Sequence, residues 1–143
     1  METVGSVSRE VDGITKEAIY ALWSDINNWH KFNHGIKYAR LEGGFLEGES
    51  FVLGLENAKE VTIKLHKIEP FKSFTDLTTF PLAKMYGEHE IIEKDNGKLE
   101  LKATIKIEGL LSFLWKKIVA NDVAAKLGDD MDSLIELAKN GSK

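Results

Sequence analysis

Between residues 36 and 109 polarity alternates with a period of two, and this run limits the available folds more than any other feature. It is clearest at residues 98–107, KLELKATIKI. Leu99, Leu101, Ala103, Ile105 and Ile107 share one face, and Lys98, Glu100, Lys102, Thr104 and Lys106 share the other. Val61, Ile63 and Leu65 repeat the pattern against Thr62, Lys64 and His66. Successive side chains of a strand point to opposite faces, so each run is dry on one side and wet on the other. The candidate strands are 36–41, 49–55, 60–69, 73–80, 84–94 and 98–108, parted by Gly-Gly, Glu-Asn, Glu-Pro, Pro-Leu-Ala and Asp-Asn-Gly. Connections this short make successive strands antiparallel neighbours.

A sheet with one dry face needs a cover. Residues 3–12 read as a further strand, and ITKEAIYALWSDI (14–26) as a helix. Thr15 suits the N-cap, and Ile14 and Ile19 fall at the positions of a hydrophobic staple. Ala18, Ile19, Leu22, Trp23 and Ile26 share one helical face, and NNWHKF reads as a second short helix or turn. Residues 110–139 return to helical spacing, with an apolar stripe from Leu111 through Trp115, Val119, Val123, Leu127 and Leu134 to Ala138. One straight helix there would be about 45 Å long. Its lysines (116, 117, 126) precede its aspartates (129, 130, 132), the wrong order for one macrodipole, so a kink or break is expected at Gly128. The expected fold class is α+β: a curved six- to seven-stranded antiparallel sheet wrapped around a long C-terminal helix, with two short helices after the first strand.

The 143 residues fit one domain, 1–143, large enough to bury a core unaided. A net charge of −4 argues against nucleic acid as a partner, since phosphate binding wants a basic face. The chain has no cysteine, which excludes disulfides, thiol nucleophiles and thiolate metal sites. METVGSVSREVDG has no basic segment followed by an apolar run, so no secretory signal is expected. No stretch approaches the roughly 18 apolar residues of a membrane span. The expectation is a cytoplasmic protein without stable membrane insertion.

The order of elements, with LWSDINNW (22–29), EGGFLEGESF (42–51), FTDLTTFPLAKMYGEHEI (74–91) and GLLSFLWKKIV (109–119), resembles the START-like helix-grip (SRPBCC) superfamily, nearest to its bacterial polyketide cyclase/dehydrase-like members. The resemblance implies a cavity between the curved sheet and the C-terminal helix. It also implies apolar ligands such as lipids, sterols or polyketides. The superfamily shares architecture rather than a catalytic motif, so it speaks for fold more than for activity.

Two residues stand out within that frame, Asp76 and His89. If Pro81–Lys84 closes a hairpin, Phe80 faces Met85, Thr78 faces Gly87, and Asp76 faces His89. A three-residue Asp95-Asn96-Gly97 loop, with glycine left-handed, then pairs His89 with Ala103 and Ile91 with Leu101. That puts the Asp–His pair on the dry face, as a polar anchor or general base in an apolar pocket, or as a structural pair. The same face supplies the other expected ligand contacts: Phe51, Leu53, Thr78, Phe80, Met85 and Ala103. Leu111, Trp115 and Val119 join them from the helix. Trp23 and Trp29 read as core packing. His30 and His34 have the i, i+4 spacing of a metal pair, but Asn33 and Gly35 mark a helix end and no third ligand is apparent. No metal or cofactor is therefore expected.

Three functions compete. The first is binding of a small hydrophobic or amphipathic ligand, lipid- or polyketide-like. The second is a cyclase/dehydratase-type enzyme in which Asp76 and His89 move a proton. The third is lipid transfer at membrane surfaces, because LLSFLWKKIV sets Leu, Phe and Trp beside two lysines. An open strand edge also admits a homodimer.

Overall fold

A computed structural model describes residues 1–57 and 59–141. Seven antiparallel strands form one curved sheet: β1 (Glu2–Val11), β2 (Ile36–Arg40), β3 (Ser50–Leu55), β4 (Glu60–Glu69), β5 (Ser73–Phe80), β6 (Ala83–Glu93) and β7 (Leu99–Glu108). Their order is β1-β7-β6-β5-β4-β3-β2, so β2 to β7 form a meander and β1 closes onto β7. The alternation explains the faces: Leu99, Leu101, Ala103, Ile105 and Ile107 are all buried, and so are Ile63 and Leu65.

Helix α1 (Lys16–Ser24) follows β1. The Thr15 side chain accepts the Ala18 N–H at 3.1 Å, satisfying one free donor of the first turn. Ile19 and Trp23 are buried on its inner face. A 3-10 turn, Ile26–Lys31, buries Ile26 and Trp29, and the Trp29 indole donates to the Trp23 carbonyl at 3.0 Å.

The C-terminal helical run begins at α2 (Ser112–Trp115), widens into a π turn (Lys116–Ala120) and continues as α3 (Asn121–Gly141). It packs on β1, β7 and α1. Gly5 lets it come close, because a Cβ there would lie 2.8 Å from that of Ala124.

The break expected at Gly128 does not occur: α3 runs through it, and the irregular turn lies at Lys116–Ala120 instead. Partners outside the helix account for the charge order. Arg9 Nε donates to Asp132 at 3.0 Å, and the His34 backbone N–H donates to Asp130 at 2.8 Å. The aspartates thus answer β1 and the loop before β2, not the dipole of their own helix. Gly128→Ala is therefore expected to raise stability by about 0.5–1 kcal/mol in thermal melts, the gain of alanine over glycine inside a helix. The added methyl meets only the flexible tip of Arg9, at 3.3 Å. A clear loss of stability would mean that the helix does break there.

Candidate functional site

The site is built where β5, β6 and β7 lie side by side. The Asp95–Gly97 loop closes as expected, with Gly97 at φ 79°, and it pairs His89 with Ala103 and Ile91 with Leu101. The preceding hairpin differs from expectation. Its loop is two residues, Pro81 and Leu82, rather than Pro81–Lys84, so Phe80 pairs with Ala83, Thr78 with Met85 and Asp76 with Gly87. Asp76 does not face His89, and Phe74 does. Leu82 sits at φ 57°, a conformation that disfavours most side chains. It is held there by contacts from beyond β7: Leu111 N–H donates to the Leu82 carbonyl at 3.0 Å, and the Trp115 indole to the Pro81 carbonyl at 3.0 Å.

The shift is by two residues, an even number, so every side chain keeps its face. Asp76 and His89 become diagonal neighbours and still meet: His89 Nε2 lies 3.2 Å from Asp76 Oδ2. Gly87 makes this reach available. It has no side chain opposite Asp76, and the carboxylate fills the space where a Cβ would lie only 2.7 Å from Oδ1. The imidazole stacks on Phe74 at 4.2 Å and 8°, and meets the edge of Trp23 at 6.1 Å. The two side chains keep 24% and 17% of their surface, so the pair is not sealed from solvent. A carboxylate only accepts hydrogen bonds, so Nε2 is the donor of this contact, and in a neutral imidazole the lone pair is then on Nδ1.

Around the pair the wall is apolar. Met85, Ala103 and Thr78 are buried. Phe80 stacks on Trp115 at 4.6 Å and 12°. Phe51, on β3, is buried against Trp29 at 5.2 Å, and Leu53 packs on the core from the same strand. Leu111 and Val119 are half-buried on the helical run. Asp76, Thr78, Phe80, Met85, His89 and Ala103 thus occupy adjacent strands, with Trp115 beside Phe80; Phe51 and Leu53 stand two strands from β5. Sequence reasoning assigned Trp23 to the core and gave no role to Phe74. Both touch His89, and Phe74 was legible as the same-face neighbour two residues before Asp76.

His34 makes a second polar cluster. Its Nε2 lies 3.0 Å from Ser133 Oγ and 3.9 Å from Asp130. Burial pushes the Asp130 carboxyl above its usual value, against the lowering effect of the His34 backbone N–H that it accepts. Serine and carboxylate approach the same ring nitrogen, whereas a relay triad needs one on each. No group of three His, Cys, Asp or Glu side chains that could hold a metal ion occurs among the described residues. A separate cleft of about 360 Å³ is lined by Leu22, Asp25, Asn28, Lys31, Phe32, Leu137 and Asn140. None of the residues expected to contact ligand lies in it.

No protein-family model matches the sequence, and a search of curated proteins finds no match. Solved structures do match. XoxI from Bacillus cereus superposes with a TM-score of 0.73 at 14% identity, covering 100% of this chain and 99% of its own. A START superfamily protein from Mycobacterium smegmatis gives 0.65 at 16% identity, covering 92% and 97%. Ara h 8.0201 gives 0.71 at 14% identity, covering 94% and 97%.

Proposed function

From the START-like helix-grip fold of this chain, generally a ligand-binding fold, we propose that it binds a small apolar or amphipathic molecule against the concave face of β5–β7. The observation that carries the reading is the partly exposed Asp76–His89 pair, 3.2 Å apart within an aromatic and aliphatic wall. Pockets for small molecules are mostly apolar, with a few polar groups that fix orientation. Here the pair would hold the polar end of the ligand, while Phe80, Met85, Ala103 and Trp115 would take its apolar body.

Native mass spectrometry of the purified protein, followed by organic extraction, tests for a co-purifying molecule. A fluorescent apolar probe such as anilinonaphthalene sulfonate then provides a titration. His89→Ala and Asp76→Asn are expected to weaken displacement of the probe by the extracted molecule about tenfold, the worth of one charge-assisted hydrogen bond. Gly87→Ala keeps both polar side chains but fills the niche of Asp76, and should weaken it as well. Unchanged displacement in all three folded variants would sink the reading.

A second reading gains support from the contact of Asp76 with His89 Nε2. With Nε2 donating to Asp76, the neutral ring would present Nδ1 as its basic nitrogen, and a carboxylate-oriented imidazole can take a proton from a bound substrate. Cyclase/dehydratase chemistry on a polyketide-like substrate would use His89 as the base and Asp76 as its orienting partner. Turnover lost in His89→Ala but bound ligand retained would separate this from simple binding.

A further inference from the structure

The start of the C-terminal helical run is apolar on both sides. On its inner side Trp115 and Val119 are half-buried against the core, and Leu111 is half-buried beside them. On the outer side Leu110 is 81% exposed, Phe113 69% and Ile118 53%. Leu82, at the tip of the β5–β6 turn, is 63% exposed and is tied to this segment through the Leu111 hydrogen bond. Five of the nine most exposed large apolar side chains among the described residues belong to this one end: Leu82, Leu110, Phe113, Leu114 and Ile118. Scattered surface leucines need no explanation, but a contiguous apolar patch does.

Charge chooses between the surfaces that could cover it. Three lysines border the patch, Lys84, Lys116 and Lys117. Lys116 is paired with Glu2, Lys84 stands opposite Glu108 in the ladder, and Glu108 is itself hydrogen-bonded by Tyr86. Lys117 has no acidic partner among the described residues. This end therefore carries three lysines against two glutamates, while the chain as a whole stands at −4. A second copy docking about a two-fold axis would set lysines against lysines. An anionic lipid surface satisfies both features, taking Leu and Phe below the headgroups and pairing lysine with phosphate. We infer that the tip formed by Leu82, Leu110, Phe113 and Ile118, with Lys117 at its rim, docks on a bilayer containing anionic phospholipid. No helix among the described residues is long and apolar enough to cross a membrane, so docking is peripheral. The inference goes beyond the ligand reading and does not rest on it.

The test is co-sedimentation of the full chain with vesicles of phosphatidylcholine alone and of phosphatidylcholine mixed with phosphatidylglycerol. Binding is expected to the mixed vesicles, weakening as salt is raised. Lys117→Gln should weaken it roughly fivefold, the worth of one surface lysine. Phe113→Glu should weaken it at least about tenfold, combining a lost apolar anchor with an added like charge. Leu46→Glu, an exposed leucine outside the patch, should bind as the parent does. All three positions are surface sites, and circular dichroism checks that each variant folds. No binding of the parent chain to mixed vesicles overturns the inference, as does equal binding by Phe113→Glu. A concentration-dependent dimer abolished by Phe113→Glu, without vesicle binding, would assign the patch to a second copy instead and likewise overturn it.

Discussion

Phe74→Ala is expected to lower the unfolding free energy by about 3–5 kcal/mol, the usual cost of deleting a buried aromatic ring. Phe74 is 1% exposed and lies at the centre of the aromatic cluster. Trp23 meets it at 4.9 Å, Phe45 at 5.4 Å, Trp29 at 6.0 Å and His89 at 4.2 Å. These partners come from β6, α1, the 3-10 turn and the loop before β3, and rings fixed by separate elements cannot all collapse into the space. Against a total of about 5–15 kcal/mol for a domain, the loss should move the urea midpoint far down with little change in slope. Phe74→Leu, which keeps most of the volume, should cost about 1.5 kcal/mol. A second readout is local. The imidazole of His89 stacks on the Phe74 ring, and the part of its ring-current shift that comes from Phe74 should be lost in Phe74→Leu while the fold persists, leaving the smaller part from Trp23. A loss under about 1 kcal/mol in Phe74→Ala would show that the cluster is not the core of this side of the sheet.

Gly109→Ala is the other substitution with a large expected effect, about 3 kcal/mol, or a fall of roughly 10 °C in Tm. Gly109 follows β7 with φ 117°, where L side chains are strained, and an added Cβ would lie 2.7 Å from the Ala83 Cα and closer still to the Leu82 carbonyl. Both are backbone atoms of the β5–β6 hairpin, so no side-chain rotation relieves the contact. The Leu82 carbonyl is also the acceptor of the Leu111 N–H, and the neighbouring Pro81 carbonyl accepts the Trp115 indole. Forcing these segments apart strains both bonds and the Phe80–Trp115 stack. Gly97→Ala is a useful comparison. It also sits at positive φ, 79°, but nothing lies within 4 Å of its added Cβ. It should cost only the backbone term, about 1 kcal/mol. Equal losses in the two variants would mean that the close approach at Gly109 contributes nothing.

The two hairpins flanking β6 show where reading a sequence stops. Asp95-Asn96-Gly97 encodes its own closure, because glycine takes the left-handed position locally, and the β6–β7 register followed from it. The Pro81–Leu82 turn does not encode itself. A leucine at φ 57° is disfavoured locally and is retained here by donors more than 25 residues later in the chain. The register of β5 on β6 was therefore out of reach, although its parity was not. Alternation allows only even errors when one face must stay dry, so Asp76 and His89 remained on the same face and came together diagonally. The role of Gly87 in accommodating the carboxylate depended on the corrected register.

The C-terminal helix divides in the same way. Its apolar stripe fixed its existence and the face it buries, because helical periodicity is a property of the residues along one segment. Its charge order carried no such local meaning. Asp132 answers Arg9 and Asp130 answers His34, residues about a hundred positions away, and the helix continues unbroken through Gly128. The irregular turn falls at Lys116–Ala120, between the anchor on the β5–β6 hairpin and the seat of Ala124 on Gly5. By itself the sequence determined the alternating strands, their dry face, the N-cap of α1 and the side of the sheet on which Asp76 and His89 stand, all set by neighbours a few residues apart. Only the tertiary structure decided the hairpin register, the continuity of the helix and the outward Leu110–Phe113–Ile118 face. Each of these depends on which distant segment supplies the partner for a carbonyl, a carboxylate or an apolar side chain.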